Sequence, residues 1–224
     1  PLEGEMGGSP EGGAARDVSK GAPPSALPGI SPARGEIGSS CAYAIAAEAT
    51  ADIPAREALL DRAMGQGRRR KSSEKLRRGR RPSEGLAFVA RDETGAVVGT
   101  VRLWDVALGE DGAPALLLGP LAVEPALKGA GIGTALMAKA VEEAHRLGHA
   151  AILLVGDAPY YARFGFSAEK TAHLAMPGPY ERHRFLALEL RPGALDGAHG
   201  TLRATGRKLA GPQPRAAAGS LRSA

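Results

Sequence analysis

The chain has little that would cross-link a fold, build a metal centre or cross a bilayer. One of its 224 residues is cysteine, so Cys41 can form no disulfide within the chain and no cysteine cluster for a metal. Aromatic residues make up 4% of the sequence, with a single tryptophan, and no row of rings is interleaved with the basic residues to stack nucleic-acid bases. The five histidines are scattered. His145 and His149 have helical spacing, but Gly148 between them should end the helix, so no metal site is expected. No apolar run approaches the roughly 20 residues that span a bilayer, and no charged-then-apolar leader is visible. These absences lead us to expect a cytoplasmic, metal-free protein that does not enter membranes.

Hydrophobic residues make up 43% of the chain, enough for a core, but they are unevenly placed. Residues 1–40 are rich in Gly, Pro, Ala and Ser and lack apolar periodicity, so we expect disorder there. Residues 193–224 read as a basic Ala/Gly/Arg-rich tail with at most weak helical potential. Residues 41–192 carry the pattern of one folded domain. The net charge of +5 suits a polyanionic partner, whether a phosphorylated cofactor or a nucleic acid.

Within that domain, residues 41–47 alternate weakly as a first strand. Asp52 and Pro54 predict a helix start. Ile53, Leu59, Leu60, Ala63 and Met64 fall on one helical face, with Arg56, Glu57 and Asp61 off it. Nine of the fourteen residues from Arg68 to Arg81 are Lys or Arg; Ser72 or Ser73 is placed to cap a short helix carrying Leu76. That run is either an anion-facing patch or a solvated helix and loop. Residues 86–90 and 96–104 read as a hairpin turning at Asp92-Glu93-Thr94-Gly95. Gly99 suggests a bulge.

The organising stretch runs from Leu116 to Leu147. An apolar strand, Leu116 to Val123, is interrupted by Gly119-Pro120; proline donates nothing to a ladder, so one side must be open or bulged there. Alternate glycines follow at 129, 131 and 133. An amphipathic helix comes next, with Ile132, Leu136, Met137, Ala140, Val141, Ala144 and Leu147 on one half. Gly148 stands at the C′ position, and Glu142 precedes Arg146 at pair spacing. A strand, a glycine turn and a helix start make an anion site, because the first helical N–H groups lack partners. The spacing fits neither the G-x-G-x-x-G dinucleotide fingerprint nor the P-loop. Residues 151–155 then read as a buried parallel strand, completing a βαβ unit. Phe185 to Leu190 supplies a last strand.

Two motifs carry a resemblance. Lys128-Gly129-Ala130-Gly131-Ile132-Gly133 resembles the [Q/R]-x-x-G-x-[G/A] pyrophosphate loop of the GNAT superfamily of N-acetyltransferases, with Lys in the basic position. Tyr160-Tyr161-Ala162-Arg163-Phe164-Gly165-Phe166 is similar to the YY-x-x-FGF ending of one branch. They stand in family order, one helix and one strand apart. The resemblance implies an α/β (α+β) fold with a mixed, mostly antiparallel sheet, a βαβ unit and a splayed fourth and fifth strand pair.

The resemblance also implies acetyl-CoA as co-substrate and a small-molecule or peptide amine as acceptor. Backbone groups of Leu121, Ala122 and Val123 would pair with pantetheine, and one of their N–H groups would polarise the acetyl carbonyl. N–H groups from Gly129 through Ala130, Gly131, Ile132 and Gly133 to Thr134 would clasp the pyrophosphate beside Lys128. Tyr161 would protonate the departing thiolate, or else anchor its helix as a core aromatic. No carboxylate stands at residues 153–155. Asp157 follows, to orient the amine, relay its proton, bind the cofactor arm or cap the next helix. His173 and His183 are further candidates for a base. Two other readings stand beside the enzyme: an acyl-CoA-binding module without turnover, and a nucleic-acid binder using the basic run, which the lack of interleaved aromatics disfavours. The sequence does not specify the oligomeric state.

Overall fold

A computed structural model describes residues 42–209 apart from residue 111. The expectations for residues 1–40, for Cys41 and for the chain beyond Leu209 lie outside the described residues.

The elements run in the order β1 (Tyr43–Ala47), α1 (Ile53–Met64), α2 (Ser72–Arg77), β2 (Ala87–Asp92), β3 (Val97–Ala107), β4 (Pro114–Val123), α3 (Ile132–Arg146), β5 (Ala151–Val155), α4 (Ala158–Ala162), β6 (Leu174–Ala175), β7 (Phe185–Glu189), β8 (Gly200–Thr201) and β9 (Arg203–Ala204). The main sheet is ordered β1-β2-β3-β4-β5-β7, with β9 added against β3. All its pairs are antiparallel except β4–β5, which α3 joins as the expected βαβ crossover.

The two faces of the sheet bury different helices. On one, Ile132, Leu136, Met137, Ala140 and Ala144 of α3 pack on Phe88, Val101, Leu103, Leu116 and Leu154. On the other, Leu76 of α2 joins Trp104, Leu117, Leu153 and Phe185. Gly99 lets α3 come close: a Cβ there would stand 2.8 Å from Ile132 Cγ2 and 2.9 Å from Leu136 Cδ1. The β2–β3 register also shifts beside it, so the expected bulge is present. At the far end of α3, Gly148 (φ 83°) follows the last turn. The Gly148 and His149 amides bond back to the His145 and Ala144 carbonyls at 2.9 and 3.0 Å, which is the Schellman arrangement.

Several local expectations fail for tertiary reasons. Ile53 is 41% exposed, whereas Arg56 is buried, because Glu48, at the end of β1, supplies a buried carboxylate for its guanidinium. Asp52 stands before α1 but makes no side-chain cap; its carboxylate accepts from the Ala49 amide at 2.9 Å and pairs with Arg91. Neither serine caps α2, whose N-cap is Lys71. Arg146 pairs with Glu143 at 2.7 Å rather than with Glu142. The packed chain runs past 192: Leu195 and Leu202 are buried and β9 pairs with β3, where the sequence predicts only a tail. No helix among the described residues is long and apolar enough to cross a membrane.

Candidate functional site

The site begins where the sheet opens. β4 and β5 pair only through Leu116–Ile152 and Leu117–Leu153. Beyond these, β4 follows β3 and β5 follows β7, leaving facing edges unpaired. The cause lies in β4 itself. Leu118 stands opposite Leu103 and Leu121 opposite Val101, so Gly119 and Pro120 together oppose Arg102. This is a bulge, which bends its strand. Gly119 sits at φ 128°, a conformation costly for a residue with a Cβ. Its carbonyl accepts a hydrogen bond from Trp104 Nε1 at 2.6 Å.

After the bulge, the Glu124 amide bonds to the Val98 carbonyl at 2.8 Å. Antiparallel pairs alternate between bonded and non-bonded. Ala122, two residues before Glu124, therefore turns its backbone groups toward β3, whereas those of Leu121 and Val123 face the opening. Of the three residues expected to offer a pseudo-strand, Leu121 and Val123 thus turn their backbone groups to the opening and Ala122 to β3.

The chain then enters the glycine turn. The Lys128 and Ala130 amides are engaged inside it, by the Pro125 and Leu127 carbonyls at 3.3 and 3.1 Å. Gly129 (φ 95°) and Gly131 (φ 80°) take left-handed conformations that aim the chain into α3. Ala135 bonds back to the Gly131 carbonyl at 3.0 Å, so the amides of Ile132, Gly133 and Thr134 precede the first intrahelical bonds and remain free donors. The expected cradle therefore loses the Ala130 N–H. The Ile132 side chain is core, 1% exposed, and contributes only its amide. Two phenols flank the turn: a Cβ on Gly133 would stand 3.1 Å from the Tyr160 hydroxyl, and one on Gly131 3.9 Å from that of Tyr43.

At the end of β5, Gly156 lets the Tyr161 ring press against the backbone, since a Cβ there would overlap it. Tyr161 packs edge-on to Tyr160 and Phe166 at 4.9 and 6.0 Å between centroids. Burial pushes its phenol up to about 12, reinforced by Tyr160 and opposed by the Arg184 guanidinium. Asp157 is exposed and makes no side-chain cap on α4; its carbonyl accepts from the Tyr161 amide at 3.1 Å.

A cleft of about 440 Å³ occupies the splay. Leu118 to Leu121, Leu154, Val155, Trp104 and Tyr161 form its inner part. Its outer wall is the basic run, with Arg68, Arg69, Lys71, Arg77, Arg78 and Arg80 joined by Arg102, Glu57 and Glu74. The run is thus part of the cavity, a placement that sequence spacing leaves open. Arg102 is bidentate on Glu48, with Nε 2.6 Å from Oε2, and Arg68 bonds Asp61 at 2.8 Å and Glu57 at 2.5 Å. Asp157, His173 and His183 are not among the lining residues; all three are exposed. Trp104 and Arg102 line the cleft without being singled out by the sequence, and Arg77 is marked there only as one member of the basic run. The lone tryptophan was the one available hint. A second hollow, about 740 Å³, lies beside Leu108, His199 and Arg203 and shares no residue with the cleft. Among the described residues no cluster of His, Cys, Asp and Glu could hold a metal.

Comparison with known proteins adds three findings. A family model described as an acetyltransferase (GNAT) domain matches residues 83–168. Over 115 residues the chain is 30% identical to a protein named uncharacterized N-acetyltransferase YhbS, from Escherichia coli strain K12, a match covering 51% of this chain and 69% of the relative. Among solved structures, YhbS of Escherichia coli in complex with CoA aligns with a TM-score of 0.63 at 26% identity, over 76% of this chain and 93% of that one. A GNAT family acetyltransferase from Brucella melitensis in complex with acetyl-CoA aligns at 0.56 and 24% identity, over 73% and 96%, and supports the fold.

Proposed function

The chain belongs to the GNAT acetyltransferases, and on that premise we propose that it transfers the acetyl group of acetyl-CoA directly to a primary amine of a small molecule or peptide. The observation that carries this reading is the splay of β4 from β5 after Leu117 and Leu153, with a glycine-turned helix start beside it. Relatives of the same fold carry CoA and acetyl-CoA.

In this reading the pantetheine arm lies in the opening as a short strand against the backbone of Leu121 and Val123. The amides of Gly129, Gly131, Ile132, Gly133 and Thr134 take the pyrophosphate, where helix-start donors favour negative charge. The acceptor nitrogen attacks the thioester carbonyl carbon, and an amide on the open edge of β4 stabilises the oxyanion. The C–S bond then breaks, and the thiolate takes the Tyr161 proton. The raised phenol does not prevent this, because the burial that disfavours phenolate also disfavours a thiolate held beside it; transfer depends on the difference between them. The proton lost by the amine leaves through water, with the exposed Asp157 as its relay, and Tyr161 is reprotonated from solvent. The single cysteine suits a reducing, cytoplasmic setting.

Calorimetric titration of the full chain with acetyl-CoA and with CoA tests the reading. Micromolar binding that Gly131→Glu abolishes is expected; a folded protein that binds neither would end it. A second reading, an acyl-CoA-binding module without turnover, draws on the exposure of Asp157 and the lack of a carboxylate along β5 (AILLV). Tyr161→Phe separates the two. The enzyme loses about a hundredfold in kcat at unchanged acetyl-CoA affinity, whereas a binding module has no rate to lose.

A further inference from the structure

Building on the acetyl-transfer reading, we propose that the acceptor is a small amine bearing a carboxylate or phosphate, and that Arg77 holds this anionic group. Arg77 comes from α2, on the sheet face opposite α3, and lines the cleft. Its side chain is 9% exposed. Among the described residues its polar partners are Ser73 Oγ at 3.3 Å and Glu74 Oε2 at 3.1 Å, both reached through Nη2. Nε is buried without a partner. Nη1 points at Gly119, 3.8 Å from where a Cβ would stand, which puts an underused guanidinium edge at the bulge that opens the sheet.

A buried cation left short of partners is costly, and one carboxylate beside five N–H donors leaves most of its capacity unused. An anion entering the cleft supplies what is missing, and a carboxylate or phosphate matches the planar fork of the guanidinium. The surroundings point the same way. Arg102 is already matched by Glu48, and Arg68 by Glu57 and Asp61. Arg78 and Arg80 instead donate to backbone carbonyls, those of Arg69 and Gly206. Of the two carboxylates in the wall, Glu57 is taken by Arg56 and Arg68, and Glu74 by Arg77 itself. The unmatched charge in the cleft is therefore positive. The volume of about 440 Å³, shared with the acetyl end of the cofactor, suits a small acceptor.

The test uses the full chain and three acceptors with a common aminoethyl arm: β-alanine, 2-aminoethylphosphonate and 3-aminopropanol. Thiol release from acetyl-CoA is measured for each, and each is titrated into CoA-saturated protein. Both acids should exceed the alcohol roughly tenfold, the scale of one charge-assisted hydrogen bond, in kcat/KM or in affinity for the CoA complex. Added salt should narrow the gap. Arg77→Gln should erase the preference by raising the acids' KM while the KM for acetyl-CoA holds, and Arg77→Lys should restore part of it. Equal or better use of the alcohol by the native chain overturns the proposal without any variant. So does a preference that survives Arg77→Gln, or an Arg77→Gln effect confined to acetyl-CoA, which would assign the residue to the cofactor. Failure to bind CoA would instead sink the acetyl-transfer reading on which this rests.

Discussion

The two sides of the splay are built by different means. On the α3 side the groups proposed to bind are main-chain amides, and the sequence contributes mostly what it leaves out: side chains at Gly129, Gly131 and Gly133. On the α1–α2 side the groups are side chains held by ion pairs, with Glu48 clamped between Arg56 and Arg102 and Glu57 between Arg56 and Arg68. A site made of backbone is tied to its local spacing, so Lys128 in the place of the family pattern's Arg or Gln should matter little to it. A site made of charges depends on partners far apart in the chain, since Arg102 and Glu48 are 54 residues apart. The first suits a cofactor whose shape does not change. The second is where acceptor preference can be altered by changing single side chains.

The largest effect should come from breaking the charged side. Glu48→Leu strands the Arg102 guanidinium and leaves buried Arg56 with Glu57 alone, and loss of one partner from such a pair costs on the order of 3–5 kcal/mol. Denaturant unfolding should show that loss; a change below about 1 kcal/mol would mean that water already reaches the network. The helix side should break more gently and by overpacking. Gly99→Val forces Ile132 and Leu136 of α3 away from β3, at about 1–3 kcal/mol, and should weaken acetyl-CoA binding as the helix start moves. Tyr161, between the two sides, makes a finer test through pH. Its phenol titrates near 10 when unfolded and near 12 when folded, so the folded state holds its proton longer. That stabilisation is complete below pH 10 and is lost as pH rises from about 10 to about 12. Thermal midpoints should fall over that interval, and Tyr161→Phe should flatten the fall. The smallest effect belongs to the solvent-facing bridge between the sides, Arg62 to Glu124 at 2.8 Å with Arg62 52% exposed. Glu124→Ala should leave the thermal midpoint unmoved.

Much of the fold is legible because it is local. The hairpin turn is written in Asp92 and Gly95: the Asp92 carboxylate accepts the Thr94 and Ala96 amides at 3.0 Å. The helix after the glycines shows its buried stripe in its period, and Gly119-Pro120 announces a break in β4. Arg56 and Ile53 exchange their expected places because the wheel treats charge as outward, whereas Glu48 makes an inward position tolerable for an arginine. Asp157 follows β5 directly in the chain, but only the structure shows that it is exposed and outside the cleft lining.

The sequence by itself therefore determined the βαβ unit, the glycine turn and the break in β4. Each follows from backbone preferences within a few residues, and glycine and proline state those preferences directly. Only the tertiary structure decided that the basic run walls the cleft, that Ala122 faces β3 while Leu121 and Val123 face the opening, and that Arg77 is buried with donors to spare. Charge carries no direction along a chain. The face that a guanidinium presents depends on which carboxylate, helix and strand edge the fold brings within a few ångströms of it.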